Sequence, residues 1–306
     1  MAGNSEMEPM SDAGASTNAK SHVLPALAVA LCGAIWGGYW IPLRSFADQG
    51  VGSAWVSLVF NAAGIMVLLP WLWSRRALGG FPAQALTGLL IGTAFTLYTV
   101  SLVLTDVLHA ILLFYLTPVW STLAGWVFLG HRLTVGRILS ILLGLAGMVS
   151  ILGQGKGLPM PRNAGDAIAL ASGMLWAFGT MRSYSRPAEG IAMPVLAFSV
   201  GGLISSGVIL GIAFALSQPL AEPGPLLPAL PWLLLLALII FVPPNFLVLW
   251  AAQRMDAGRV GILLMTEVMV GAVTAALFSG EAFGPSEVIG TVLIVSAALI
   301  EVLGRR

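Results

Sequence analysis

The sequence predicts an all-helical protein that crosses a membrane ten times and consists of two inverted five-helix repeats. Three observations lead to this prediction: a composition with very few charges, a series of apolar segments each about 20 residues long, and similar short motifs in the two halves of the chain. Of 306 residues, 58% are apolar and only 9% carry a formal charge. Soluble domains carry about a quarter charged residues, so an ordinary soluble enzyme is excluded.

The remaining composition narrows the class of partner. The net charge is +1 and the mean hydropathy is +0.94, and basic clusters are scarce, which argues against a nucleic-acid partner. Cys32 is the single cysteine and only three histidines are present, so we expect no disulfide framework, no metal site and no cofactor. The lipid bilayer is the partner that this composition indicates.

Ten apolar segments are separated by charged or Pro- and Gly-containing breaks. Alternating polarity of the outer-membrane barrel type is absent, so helices are the structure that satisfies the backbone in lipid. Numbered as spans 1 to 10, the segments cover residues 23–43, 51–73, 83–104, 107–129, 134–153, 165–185, 192–216, 230–251, 259–279 and 284–303.

The ten spans divide the chain into a tail and two halves. Residues 1–20 are small, polar and mildly acidic, which predicts a disordered cytoplasmic tail. No basic segment precedes a short apolar stretch with a cleavage site, so the first apolar segment is expected to be a span and not a signal peptide. Residues 21–156 are predicted to form the first five-helix repeat and residues 157–306 the second.

The basic residues divide unevenly between the two sides that ten spans define. With the N-terminus in the cytoplasm, eleven of the fourteen Lys and Arg residues fall on the cytoplasmic side. Cytoplasmic loops carry the excess of Lys and Arg, and one missed or extra span would invert every later loop. We therefore expect both termini in the cytoplasm. The three cations on the opposite side are Arg44, Lys156 and Arg162.

Short motifs indicate an internal duplication. The sequence GAIWG at 33–37 is similar to GMLWA at 173–177, and LGH at 129–131 parallels SGE at 279–281. Small residues at these positions permit close approach of helices. Five spans in each half is an odd number, so the two repeats face opposite ways in the membrane. Inverted repeats are the architecture of many secondary transporters, with the substrate site near the midplane.

Several motifs resemble those of EamA-type transporters of the drug/metabolite transporter (DMT) superfamily. They are WG at 36–37, PLR at 42–44, LTPV at 116–119, FLGHRL at 128–133, GDAIAL at 165–170 and TEV at 266–268. The resemblance covers residues 23–304 and implies a membrane protein that exports or exchanges small metabolites, amino acids or drugs. The chain departs from the family at two places. His131 follows Gly130 where the family often has Glu, and Val268 follows Glu267 where it often has Pro.

Glu267 is the leading candidate for a functional residue, because it is the one carboxylate well inside a predicted span. It lies about eight residues into span 9, roughly 10–12 Å from the cytoplasmic end at 1.5 Å per residue. Ionisable groups at such depth are costly and usually face a cavity or a partner. Glu267 is predicted to bind a substrate ammonium group or to take up a proton; the alternative is a structural carboxylate at a helix contact.

Other candidates are polar or aromatic residues inside the spans. Asn61 in span 2 and Asn245 in span 8 can bind substrate or join helices, and the aromatic residues can line a cavity, stack on a cation or simply pack. Prolines in spans 4 and 8 are gating or kink candidates. The threonines of span 3 are expected to bond to their own helix backbone, with a position facing the transport path as the alternative. The aromatic candidates are Trp36, Trp176, Tyr98 and Tyr115; the prolines are Pro118, Pro243 and Pro244; the threonines are Thr93, Thr96 and Thr99.

A secondary transporter is the functional class that these features favour. The chain lacks the sequence motifs of nucleophile elbows, zinc proteases and P-loops, so an enzyme is not expected, and a membrane-embedded enzyme and a passive channel are the alternatives. We expect an alternating-access exporter of a small organic metabolite, amino acid or drug in a bacterial inner membrane. Export or import, proton antiport or exchange, and the oligomeric state are open at this level.

Overall fold

A computed structural model describes residues 13–76, 78–130, 134–153, 161–218, 222–252, 263–280 and 284–303. Every regular element in these residues is helical. A 3₁₀ turn covers Leu78–Gly80 and a π-helical turn covers Ala237–Phe241. The α-helices are α1 (Ala13–Gly37), α2 (Trp40–Asp48), α3 (Ser53–Ser74), α4 (Phe81–Leu104), α5 (Val107–Phe114), α6 (Thr117–Leu129), α7 (Val135–Gly153), α8 (Ala164–Ser185), α9 (Ala192–Ala215), α10 (Leu226–Leu236), α11 (Val242–Ala252), α12 (Thr266–Phe278) and α13 (Pro285–Leu303).

Within the described residues, five helical segments are long and apolar enough to cross a membrane by length and composition. They correspond to the predicted spans 1, 2, 3, 7 and 8. Spans 4 and 9 are each interrupted, and span 6 carries Asp166 and Arg182, which lower its hydropathy. Spans 5 and 10 appear as shorter apolar stretches within α7 and α13. The five segments are Leu24–Asp48, Ser53–Ser74, Leu78–Leu104, Ala192–Ala215 and Leu226–Val248.

The start of the first helix differs from the predicted tail. Helix α1 begins at Ala13, so residues 13–20, which the sequence predicts to be disordered, are helical. Alanines at positions 13, 15 and 19 explain this, because Ala is the strongest helix former. Residues 1–12 of the predicted tail lie outside the described residues.

Spans 4 and 9 are interrupted at matching positions. In span 4, helix α5 ends at Phe114 and α6 begins at Thr117, with Tyr115 and Leu116 in a turn between them. In span 9, a turn at Met265 precedes α12. The interruption in span 9 forms although Val268 replaces the Pro that often follows this Glu in the resembling family.

Helices α4 and α9 approach closely through glycine, and this contact brings the two halves of the chain together. A Cβ atom at Gly92 would clash with the backbone nitrogen of Gly202, and one at Gly88 would clash with the backbone of Ala197. Small residues at such positions allow backbone contact between membrane helices.

The threonines of α4 bond across helices, so the expectation that they bond to their own backbone is wrong. Thr93 contacts the Ser205 hydroxyl of α9 at 2.5 Å, and Thr99 contacts the Tyr39 hydroxyl at 3.3 Å. Thr96 accepts a hydrogen bond from Ser57 of α3 at 3.2 Å. The physical reason is proximity: the glycine contact brings Ser205 of α9 within reach of α4, and Tyr39 and Ser57 come from other elements that contact α4.

Candidate functional site

Glu267 occupies the first turn of α12 and is buried, with 4% of its surface exposed. The helix begins at Thr266, after the interruption at Met265. A helix N-terminus carries unsatisfied N–H groups and a partial positive charge, which favour a carboxylate in its first turn. The interruption therefore creates a place inside the predicted span where a buried acid is tolerated.

Two tyrosines hydrogen-bond to the Glu267 carboxylate, one to each oxygen. The Tyr98 hydroxyl, from α4, donates to Oε1 at 2.9 Å. The Tyr115 hydroxyl, from the turn between α5 and α6, lies 2.8 Å from Oε2 and 3.0 Å from the Leu264 carbonyl oxygen. Hydrogen bonds to an ionised acceptor are shorter and stronger than neutral ones. Three residues predicted as site candidates thus meet at one point, although they are far apart in sequence.

Phe114 joins the two tyrosines to a tryptophan. Its ring centroid lies 4.7 Å from that of Tyr98, 5.5 Å from that of Tyr115 and 5.7 Å from that of Trp176. Through its contact with Phe114, Trp176 therefore belongs to the same aromatic cluster as the two tyrosines. Sequence reasoning missed Phe114, because nothing distinguishes it from the other phenylalanines until the interruption of span 4 places it.

Glycines of α1 allow the start of α12 to pack against this helix. A Cβ atom at Gly33 would clash with the Thr266 hydroxyl and lie 3.2 Å from the backbone nitrogen of Glu267. A Cβ atom at Gly37 would lie 2.7 Å from the backbone oxygen of Glu267. The glycines four residues apart in the motif at 33–37 thus fix the backbone that carries the acid.

The two interruptions make equivalent contacts. Thr266, the first residue of α12, donates from its hydroxyl to the Ala30 carbonyl of α1 at 2.9 Å. Thr117, the first residue of α6, lies 3.3 Å from the Gly173 carbonyl of α8. Each interruption therefore contacts the first helix of the opposite half, through the regions that carry the motifs at 33–37 and 173–177.

Trp36 lies at a different helix break from Glu267. Pro243 and Pro244 follow the π-helical turn, and because proline has no N–H, the Ile240 carbonyl loses the donor that residue 244 would supply in a regular helix. The Trp36 indole N–H donates to this carbonyl at 3.0 Å. A π-helical turn thus directly precedes the two prolines, and the Trp36 indole supplies a donor to the Ile240 carbonyl.

The two asparagines bond to the preceding turn of their own helices. Asn61 donates to the Ser57 carbonyl at 2.8 Å, and Asn245 donates to the Phe241 carbonyl at 2.7 Å. Asn61 also lies against Gly202 of α9, where a Cβ atom would clash with it. Within the described residues, neither side chain hydrogen-bonds to Glu267. Pro118 lies in the first turn of α6, where the missing N–H costs no helical bond.

A second charged cluster joins the two halves away from Glu267. Arg162 lies 2.9 Å from Asp166 and 3.0 Å from Asp106, and it also contacts His109. His109 lies 2.8 Å from Asp106 and 3.8 Å from Glu287. Asp166 is fully buried and Glu287 is 7% exposed. No local pattern in the sequence indicates that Arg162, Asp166 and Glu287 meet Asp106 and His109, because these residues come from both halves of the chain.

These groups do not resemble a metal site. In the described part of the chain, no group of three or more His, Cys, Asp or Glu side chains could hold a metal ion. The polar groups at the Glu267 site are its carboxylate and the hydroxyls of Tyr98 and Tyr115. This set suits hydrogen bonding to a polar or cationic organic group.

The EamA-like transporter family matches the chain twice, over residues 23–153 and 163–303. The chain belongs to the EamA-like transporter family. This confirms the resemblance seen in the sequence, and it makes the EamA chain an integral membrane protein of a transporter family with two repeats. The interruption that carries Glu267 lies in the second repeat, whereas Tyr98 and Tyr115 lie in the first.

Solved structures share the fold of this EamA chain. One, described as "Crystal structure of protein", has a TM-score of 0.58 and 21% sequence identity, and the match covers 93% of this chain and 98% of that chain. At this identity the likeness supports the fold alone. No curated protein matches the chain.

Proposed function

We propose that this chain is an alternating-access carrier that moves a small organic amine, amino acid or drug across a membrane by way of Glu267. The observation that carries the proposal is the position of the carboxylate. It comes from the second repeat and its two hydrogen-bond donors, Tyr98 and Tyr115, come from the first. A substrate held there contacts both repeats, which suits a carrier whose repeats move against each other.

The chemistry of the site favours a cationic substrate group. Glu267 supplies a negative charge, and Phe114 and the two tyrosines supply aromatic faces beside it. Ammonium groups are bound by carboxylates and by aromatic faces together. The positive charge of an amine substrate pairs with the carboxylate charge, which burial would otherwise leave without a counter-charge.

The carrier is proposed to have ten spans with both termini in the cytoplasm, and to export its substrate from a bacterial cell across the inner membrane. Two observations support this topology: the uneven distribution of basic residues, and the equivalent contacts of the two interruptions with α1 and α8. Helices too short to span alone are accommodated where they are covered by protein.

Replacing Glu267 tests the proposal. In proteoliposomes screened against a panel of amines and amino acids, Glu267→Gln is expected to reduce saturable counterflow by more than about tenfold, since losing a charged partner costs about 2 kcal/mol or more. Glu287→Gln is the matched control, because Glu287 is also a buried glutamate but lies in the other cluster. Wild-type counterflow by Glu267→Gln would contradict the proposal, and an unsaturable flux would indicate a channel.

Coupling to protons is the second part of the proposal. A carboxylate that binds either a proton or an amine exchanges one for the other when the two compete for the same oxygens. Efflux of an amine that the panel identifies as a substrate is therefore expected to be accompanied by proton movement in the opposite direction, into the compartment that the amine leaves. Efflux without proton movement would contradict antiport and would indicate facilitated exchange.

A further inference from the structure

The Tyr115 hydroxyl lies between two acceptors of the same span. It is 2.8 Å from Glu267 Oε2 and 3.0 Å from the Leu264 carbonyl oxygen. A tyrosine has one O–H and therefore donates fully to one acceptor at a time. In the described residues, the Tyr98 hydroxyl donates to the Glu267 carboxylate and forms no hydrogen bond with the backbone of this span.

The second acceptor marks the helix interruption. Leu264 directly precedes Met265, where the regular hydrogen bonding of span 9 is broken. Tyr115 itself lies in the interruption of span 4, where its backbone N–H still donates to Ile111 at 2.9 Å. The hydroxyl is thus the place where the interrupted helices of the two repeats meet.

We infer that Tyr115 is a positioning residue that couples the charge state of Glu267 to the interruption of span 9. A free carboxylate is the stronger acceptor and takes the hydroxyl proton. A protonated or amine-paired carboxyl is a weaker acceptor, and the Tyr115 proton is then donated to the Leu264 carbonyl. When a proton or an amine neutralises Glu267, an additional hydrogen bond therefore forms between Tyr115 and Leu264 at the interruption. This bond changes the stability of the first turn of α12.

This inference rests on the proposed function only for the identity of what neutralises Glu267. The switch itself requires the carboxyl group, Tyr115 and the Leu264 carbonyl, all of which are present without substrate. The charged and titratable groups that face Glu267 in the described residues are Tyr98 of α4 and Tyr115. They differ in one respect that an experiment can use: only Tyr115 also contacts Leu264.

Hydrogen–deuterium exchange on wild type and five variants tests the inference without any substrate. Glu267→Gln replaces the carboxylate by a neutral group of nearly the same shape. It is expected to change the protection of amides 266–270 by roughly fivefold, the equivalent of one net hydrogen bond. The same change is expected in a Tyr98→Phe background, which also removes one hydroxyl from the carboxylate. In a Tyr115→Phe background the change is expected to vanish.

Two results would overturn the inference. One is an equal response to Glu267→Gln in the Tyr115→Phe and Tyr98→Phe backgrounds, which would make Tyr115 an ordinary ligand of the carboxylate. The other is unchanged protection between wild type and Glu267→Gln, a comparison that does not depend on the folding of any Tyr115 variant. Neither measurement uses transport, so failure of the switch and failure of the proposed carrier are separate outcomes.

Discussion

The position of Glu267 shows how an acidic side chain can be buried within an apolar segment. Its carboxylate receives a hydrogen bond at each oxygen, from Tyr98 and Tyr115. It also lies in the first turn of a helix, where the backbone N–H groups favour a negative charge. A carboxylate in the middle of an uninterrupted apolar helix would have neither form of compensation, and its transfer from water would cost several kcal/mol.

Single glycines decide whether the helices can approach closely enough to form this site. Gly92 of α4 contacts the backbone of α9 so closely that a Cβ atom would clash with Gly202 N, whereas a Cβ atom at Gly211 of α9 would meet nothing within 4 Å. Gly92→Ala is expected to lower the free energy of unfolding by about 1–3 kcal/mol through overpacking. Gly211→Ala is expected to be neutral or to stabilise by up to about 1 kcal/mol through helix propensity.

Reversible denaturation in mixed micelles measures both free energies, and the two variants carry the same chemical change in neighbouring helices. Equal stability of the two proteins would show that the contact between α4 and α9 is looser than its geometry indicates.

At the scale of elements, the broken helices carry the residues of the proposed site. Spans 4 and 9 are interrupted where Tyr115 and Glu267 meet, and span 8 contains a π-helical turn before Pro243 and Pro244. Irregular backbone inside a membrane is tolerated only where protein covers it. Here the freed carbonyls receive side-chain donors: Tyr115 for Leu264 and Trp36 for Ile240.

The pairing of Trp36 with the proline break makes a prediction for a double-mutant cycle. Trp36→Phe removes the indole donor and leaves the Ile240 carbonyl unsatisfied, which is expected to cost about 1–3 kcal/mol. In a Pro244→Ala background residue 244 regains its N–H, so the same change is expected to cost about 1 kcal/mol less. Packing lost with the larger ring is common to both backgrounds and cancels. Equal costs in the two backgrounds would mean that the hydrogen bond contributes nothing to stability.

For the whole molecule, the sequence predicts more about class than about geometry. Few charges and long apolar segments are local properties, so they indicate a membrane protein and two repeats without knowledge of contacts. Glu267 stands out because it is a single charge in an apolar segment. Its partners Tyr98 and Tyr115 were candidates on aromatic character alone, and only the fold shows that they bond to it.

Other features depend on tertiary contacts that have no local signal. Arg162 is a loop cation in the sequence, but in the structure it contacts Asp106 of the first repeat and Asp166 of the second. The interruption at Met265 has no proline to announce it. It forms where Gly33 and Gly37 of α1 pack against the start of α12.

The proposed topology makes a prediction that a cysteine-labelling experiment can check. Cys32 is the single cysteine, so Cys32→Ser provides a background in which one new cysteine is labelled at a time. Exposed positions in four connections are suitable: Gln49 and Gln218, which ten spans place outside, and Ser74 and Ser185, which they place in the cytoplasm.

A membrane-impermeant maleimide is expected to label Gln49→Cys and Gln218→Cys in intact cells, because an even number of spans separates these two positions. Ser74→Cys and Ser185→Cys are expected to react only after permeabilisation, which also controls for their intrinsic accessibility. Labelling of Ser185→Cys but not Ser74→Cys in intact cells would mean that the interrupted span 4, or one of its neighbours, does not cross the membrane. That result would remove the inverted relation of the repeats, and with it the basis for placing Glu267 and Tyr115 at the centre of a carrier.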